Sequence, residues 1–540
     1  MRRPLGMGGA ALLVSGSILV SRLLGLGRET LLAALLGVSQ EGDLYRFAFV
    51  VPDFLNYLLA GGFLSITLVP ILARRIEERD EDALHRDFSA VFRWVGSAII
   101  ILTVVLMLVA DHVCRVAFPT LGEADLDRVV DLTRIILPAQ VAFVLGALLM
   151  AYQYSKRRFL YPALAPVIYN LGIIIGGLAG ASQDSNRAAG FIWGALIGAV
   201  VGTLVLQWIG ARRAGLRITT GSSTAVRSYL TLAFPLMIGQ SVTVLDEQFP
   251  RLFGQLGADG SAAALSLGRM LNMVPVGLIA QAAAVASYPF LARLVASGAE
   301  QRTDRVTLRA LRGTTFVSMA ALAFFFGAAA PLVRLVYEWG RFGAGDSAQV
   351  AMLLAWFSLS IPAWGIHQVL GRWFYAHRRM WLPVLVGTAA TAAAIPLSLS
   401  LFEATGVAGV AIASSIVMWL YTIALVVIWA QGRPDRWRPL AATVVRTLPL
   451  MLVATLLIRV INDALPTPDA LAALVMIAVS LVVLIAVFAL GGRPLRLEES
   501  KPGWWRDNPV AGSAGTSPNA SLGGETGTAS EPEVDPDAPA

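Results

Sequence analysis

The chain has 540 residues, of which 56% are hydrophobic and only 14% are charged. Soluble proteins carry roughly 25% charged residues, so this composition excludes an ordinary soluble protein and favours one polytopic membrane domain. The net charge of +7 does not indicate nucleic-acid binding, because the Lys and Arg residues fall in short clusters between apolar runs, as in cytoplasmic membrane loops.

Fourteen stretches are apolar over about the 20 residues that a membrane-spanning helix needs. In chain order, the predicted helices lie near 8–37, 44–73, 87–112, 131–153, 159–181, 188–211, 226–257, 260–292, 308–336, 347–376, 380–402, 406–431, 439–461 and 468–491. Pro and Gly residues interrupt the second and the eighth, and broken helices are tolerated where they face protein or a water-filled cavity. The sequence therefore predicts an all-α polytopic membrane protein.

The loops between these helices alternate in charge. One set carries basic clusters, such as Arg74-Arg75, Lys156-Arg157-Arg158 and Arg378-Arg379, while the other set is poor in Lys and Arg. The basic set is expected in the cytoplasm, which also places both termini there. Residues 497–540 turn rich in Gly, Ser, Pro and acids, and are predicted to form a disordered cytoplasmic tail.

An internal repeat divides the chain. Residues Tyr154–Arg158 with Pro162 match Tyr375–Arg379 with Pro383 at an offset of 221, and related pairs keep offsets of 219–223 from the first helix to the eleventh. We therefore predict a six-helix bundle over 1–213, a second over 226–431 and an additional helix pair over 438–491. Because six is even, the halves should be parallel repeats, with the substrate site between them.

Ionisable residues concentrate in the first two helices of each half. An arginine at mid-helix costs roughly 2.5–3.5 kcal/mol on insertion scales, so these residues indicate a shared polar cavity. Arginine offers a planar fork of donors that suits phosphate, and a diphosphate is the predicted ligand. Substrate binding is predicted for Arg22, Arg28, Arg251 and Arg269. Ion pairing or gating is predicted for Glu29, Asp53, Asp246 and Glu247. The alternative for each is a position at the membrane interface or a structural pair, and for Arg46 this alternative is favoured.

The segment Ser21-Arg-Leu-Leu-Gly-Leu-Gly-Arg-Glu29 resembles the opening helix of the MurJ (MviN) lipid II flippases, in the multidrug/oligosaccharidyl-lipid/polysaccharide exporter superfamily. Supporting stretches include Pro52-Asp-Phe-Leu55, Gly268-Arg-Met270 and Val274-Pro-Val-Gly277, and the resemblance runs from about 7 to 490. It implies a transporter, not an enzyme, that moves the lipid-linked peptidoglycan precursor outward across a bacterial inner membrane by alternating access. It also implies cavity roles for Arg22, Arg28 and Arg269, and a role for Asp43 at the start of the second helix.

One stretch departs from the family pattern. The second helix commonly has a basic pair followed by a Glu, and here Asn56, Tyr57 and Gly61 stand at those places. Flippase activity on another undecaprenyl-linked glycan, or small-molecule export, therefore stays open as an alternative.

No cofactor or metal is expected, because the four histidines and the single Cys114 show no metal-ligand spacing. The expected partners are an undecaprenyl diphosphate-type glycan and membrane lipids, with the chain acting as a monomer.

Overall fold

The fold is known from a computed structural model. It describes residues 7–60, 63–181, 187–221, 224–231, 248–280, 291–465 and 469–492. Every regular element within those ranges is a helix, which confirms the predicted all-α membrane fold. The predicted tail over 497–540 lies outside the described residues.

The first half contains the helices up to residue 213. They are α1 Met7–Leu36, α2 Gln40–Ala48, α3 Val50–Ala60, α4 Phe63–Glu77, α5 Glu81–Leu108, α6 Ala110–Ala117, α7 Glu123–Ile136, α8 Ala139–Ser155, α9 Leu160–Gly180 and α10 Arg187–Arg213. The predicted second helix is thus three consecutive helices, α2 to α4. A π-helical turn, Val200–Val205, lies inside α10.

The described helices after residue 257 complete the fold. They are α11 Ser261–Pro275, α12 Glu300–Gly327, α13 Ala329–Tyr337, α14 Ala344–Ser358, α15 Ile361–Ala376, α16 Trp381–Thr405, α17 Val407–Ala430, α18 Pro434–Ala464 and α19 Ala470–Gly492. A π-helical turn, Val276–Ala280, follows α11 directly after Pro275, where the predicted eighth helix was expected to break.

Ten helical segments within the described ranges are long and apolar enough to cross a membrane. The bent pair α14 and α15, which meet at 43°, makes an eleventh if it forms one span. The count of fourteen stays a prediction, and half of the predicted seventh helix, 226–257, falls on residues outside the described ranges.

Four consecutive helices in each half have matching bounds. Helices α5 to α8 begin 219, 219, 221 and 222 residues before α12 to α15. The loops that follow also match: Arg157 and Arg378 both adopt positive φ, 55° and 58°. Non-glycine residues rarely adopt that conformation, so the shared loop geometry agrees with the sequence repeat. Superposition of the two complete halves stays a prediction.

Two interfaces show how the peripheral helices pack. Helices α9 and α10 meet through glycines spaced by four, and a Cβ added at Gly172 would lie 2.7 Å from the Gly194 carbonyl oxygen. Such small residues let membrane helices approach closely. The terminal pair packs on α12 and α13 through residues that include Ala323, Ile458 and Phe488.

Candidate functional site

Arg28 is held by two polar side chains. Its Nη2 donates to Glu29 Oε1 at 2.6 Å, and its Nη1 donates to Asn170 Oδ1 on α9 at 3.2 Å. Asn170 also donates to the Pro166 carbonyl at 3.0 Å, which fixes its amide. The Arg28 side chain nevertheless stays 22% exposed. An oriented, partly exposed guanidinium is suited to bind an anion.

Glu29 lies between two arginines. Arg46 Nη2 is 4.0 Å from Glu29 Oε2, and Arg46 Nη1 donates to the Gly42 carbonyl at 3.0 Å. The Arg46 side chain is buried and makes these two contacts, which agrees with a structural pair rather than a position at the membrane interface. Glu29 thus offsets part of the charge of Arg28 and Arg46 within the fold.

Arg251 and Asp53 link the two halves. Arg251 Nη1 donates to Asp53 Oδ2 at 2.6 Å and to Gln248 Oε1 at 3.0 Å. Both charged side chains are about a quarter exposed. Arg251 is also close enough to Glu29 and Arg46 to act on both electrostatically. These five ionisable residues therefore form one group, with three positive and two negative charges.

Asp43 caps the start of α11. Its Oδ2 accepts from the Gly260 amide at 2.7 Å and its Oδ1 from the Ala263 amide at 2.6 Å. The first N–H groups of a helix lack intrahelical partners, so a carboxylate there is stabilised by both hydrogen bonding and the helix dipole. This contact joins the beginning of α2 to the beginning of α11.

Arg22 and Arg269 have different surroundings from Arg28. Arg22 is exposed and faces the π-helical turn after α11, where a Cβ added at Gly277 would lie 3.5 Å from Arg22 Nη1. Arg269 is buried on α11, and its Nη1 donates to Ser414 Oγ on α17 at 3.4 Å. The structure thus groups Arg28 with Arg251, while the convergence of Arg22 and Arg269 on them stays a prediction.

Two predicted residues, Asp246 and Glu247, lie outside the described residues. Among the residues that are described, His, Cys, Asp and Glu side chains form no group of three that could hold a metal ion.

Sequence reasoning assigned no site role to Arg46, Asn170 or Gln248. Arg46 lies one helical turn after Gly42, but its burial depends on the helices that pack on α2, and no local pattern reveals them. For Asn170 the available signal was a polar amide within an apolar helix.

Comparison with protein families gives one match that covers most of the chain. Residues 32–490 match the family described as lipid II flippase MurJ. A probable lipid II flippase MurJ of Rhizobium tropici is 29% identical over 77% of this chain and 79% of that protein. Its counterpart in Rhizobium meliloti is 27% identical over 90% of this chain and 94% of that protein.

Solved structures share the fold. A lipid II flippase MurJ in an inward closed conformation has a TM-score of 0.75 at 21% identity, covering 90% of this chain and all of that one. An inward-facing multidrug resistance transporter of the MATE family has a TM-score of 0.62 at 15% identity, covering 80% of this chain and 98% of that one. At these identities the similarity concerns the fold alone.

Proposed function

This chain belongs to the lipid II flippase MurJ family, and from that membership we propose that it carries lipid II from the cytoplasmic to the outer leaflet of a bacterial inner membrane. It is a transporter and not an enzyme. The observation that carries the proposal is the family match over residues 32–490, because it spans both halves and most of the terminal pair.

The arginine group supplies the physical basis for binding. A diphosphate that crosses hydrocarbon alone loses its hydration, so its charge must be matched along the way. Arg28, Arg46 and Arg251 exceed Glu29 and Asp53 by one positive charge, and Arg28 and Arg251 stay partly exposed. In this proposal Arg28 and Arg251 bind the diphosphate, joined by Arg22 and Arg269 as the halves move.

Alternating access requires contacts between the halves that open and close. The Asp43 carboxylate on the Gly260 and Ala263 amides is such a contact, and it lies at the end of α2 that the loop charges predict to face outward. With this contact made, the site would be closed towards the outside. Substrate binding would favour the state in which the Asp43 contact is broken. Asp246 and Glu247 are proposed to pair with the arginines in the empty state.

The test measures outward movement of lipid II in vesicles that contain the purified full chain, for Arg28→Ala and Arg28→Lys. Arg28→Ala should reduce transport by about tenfold or more, since a hydrogen bond to a charged group contributes about 1.5–3 kcal/mol. Arg28→Lys should be intermediate, because lysine keeps the charge but loses the planar fork. The matched control is Arg74→Ala, a largely exposed arginine at the end of α4. Normal transport by Arg28→Ala at equal membrane levels would contradict the binding role.

A further inference from the structure

A groove lies on the periphery of the first half, along α5, and its lining contains none of the residues of the arginine group. Its volume is about 580 Å³, and its wall on α5 includes Arg93, Trp94, Ser97, Ala98 and Ile101. Gly221, from the segment that connects the two halves, and Val226, at the start of the second half, complete it. This volume falls in the range of roughly 300–1,000 Å³ that is typical of sites for small ligands.

The connecting segment is fixed along α5 by polar contacts. The Thr219 amide donates to Ser89 Oγ at 3.0 Å, and Arg93 donates to the Thr219 carbonyl. Arg93 Nη2 also donates to the Gly221 carbonyl at 2.6 Å. These contacts make the groove a defined feature rather than a gap between independent segments.

The groove is polar at one end and apolar along its length. Arg93 lies eight residues before Ile101 on α5, so the two are about 12 Å apart along the helix axis. Trp94 and Ile101 are 54% and 64% exposed, as expected for side chains that face lipid. The polar end therefore lies nearer the start of α5, which the loop charges predict to be cytoplasmic.

Charge at the polar end selects the ligand class. The Arg93 guanidinium has five N–H donors and is exposed, and the two carbonyl contacts leave donors on its open edge. Arg86 on the same helix, Arg217 on the connecting segment and Arg227 near the start of the second half are also exposed. An anionic headgroup would meet the Arg93 guanidinium, and an acyl chain would lie on Trp94, Ala98 and Ile101.

We propose that this groove binds an anionic phospholipid of the cytoplasmic leaflet, with its phosphate at Arg93 and one acyl chain along α5. Because Gly221 belongs to the segment between the halves and Val226 begins the second half, the bound lipid holds this part of the chain against α5. The site is separate from the arginine group, and lipid II is not its ligand.

The test uses phosphatidylglycerol that carries a photoreactive group in its acyl chain, with the full chain in phosphatidylcholine vesicles. We expect preferential labelling of the α5 peptide that contains Trp94–Ile101. Excess unlabelled phosphatidylglycerol should lower that labelling several-fold, and excess phosphatidylcholine should not. Ala98→Trp should fill the groove and lower labelling several-fold, whereas Val104→Trp, at a half-exposed position further along α5, should leave it unchanged.

Two variants test the headgroup contact. Arg93→Gln should remove the preference for phosphatidylglycerol over phosphatidylcholine, and Arg93→Lys should keep most of it. Equal competition by the two lipids, or undiminished labelling of Ala98→Trp, would overturn the proposal. Labelling needs no lipid II, so its failure would leave the proposed transport function standing.

Discussion

Arg251 Nη1 lies 2.6 Å from Asp53 Oδ2, and this ion pair joins residues 198 positions apart in the chain. It connects α3 in the first half, which contains Asp53, with Arg251 in the second half. Both side chains keep about a quarter of their surface exposed. Partly exposed pairs contribute modestly to stability, so this pair can separate when a stronger anion competes for Arg251.

The pair yields a prediction about which partner matters for transport. Arg251→Gln should reduce lipid II movement by about tenfold, because it removes a charged donor that contributes about 1.5–3 kcal/mol. Asp53→Asn should have a smaller effect, since it frees Arg251. The measurement is vesicle transport at matched protein levels. Full recovery in the exchanged variant Asp53→Arg with Arg251→Asp would instead assign the pair a purely structural role.

A second prediction concerns the contact between Asp43 and the start of α11. Asp43→Ala should shift the protein away from the state in which α2 and α11 are joined, because two backbone N–H groups lose their acceptor. Spin labels at exposed Ala124 and Ala258 can report the distance across this end of the protein. A longer or broader distance distribution is expected. Labels placed at the same positions in Arg74→Ala serve as the control, and an unchanged distribution in Asp43→Ala would refute the prediction.

A third prediction tests the close packing of α9 and α10. Gly172→Ala should lower thermal stability by about 1–3 kcal/mol, since its Cβ would lie 2.7 Å from both the Gly194 carbonyl oxygen and Gly198 Cα. Gly371→Ala, on α15, is the matched control because a Cβ there meets nothing within 4 Å. Thermal unfolding of both variants in detergent measures the difference. Equal melting temperatures would show that α9 and α10 can separate without cost.

The fourth prediction concerns Cys114, on α6. The side chain is fully buried, and burial raises the pKa of its thiol, so less reactive thiolate is present at neutral pH. Maleimide should modify it slowly in the folded protein and rapidly after denaturation. Ala258→Cys adds an exposed comparison within the same chain. Fast labelling of the native thiol would contradict its burial and would complicate the spin-label experiment.

Much of this architecture can be predicted from the sequence, because a bilayer requires apolar helices that are long enough to cross it. Helix-length apolar runs predict the all-α membrane fold, and the repeat anticipates matching loops such as those at Arg157 and Arg378. Arg28 and Arg251 were recognisable as site candidates since arginine is costly in an apolar helix. These signals depend on residue type and spacing, which the sequence contains directly.

The remaining site geometry depends on contacts that have no sequence signature. Asp43 binds backbone amides at Gly260 and Ala263, and any residue other than proline could supply such donors. Arg46 is buried because α2 packs among several helices that are distant in the chain, and its place near a helix end does not reveal this. Which face of α11 turns towards α17, and so brings Arg269 to Ser414, is likewise set by tertiary packing.

The π-helical turn Val200–Val205 has a consequence for comparing relatives. Such a turn accommodates one additional residue within an otherwise regular helix, and the residues beyond it keep their orientation towards α8 and α9. A homologue with an uninterrupted α-helix here would align with a one-residue gap inside a membrane span. Such a gap would preserve the packing face on either side, so the helix would be correctly aligned before and after it.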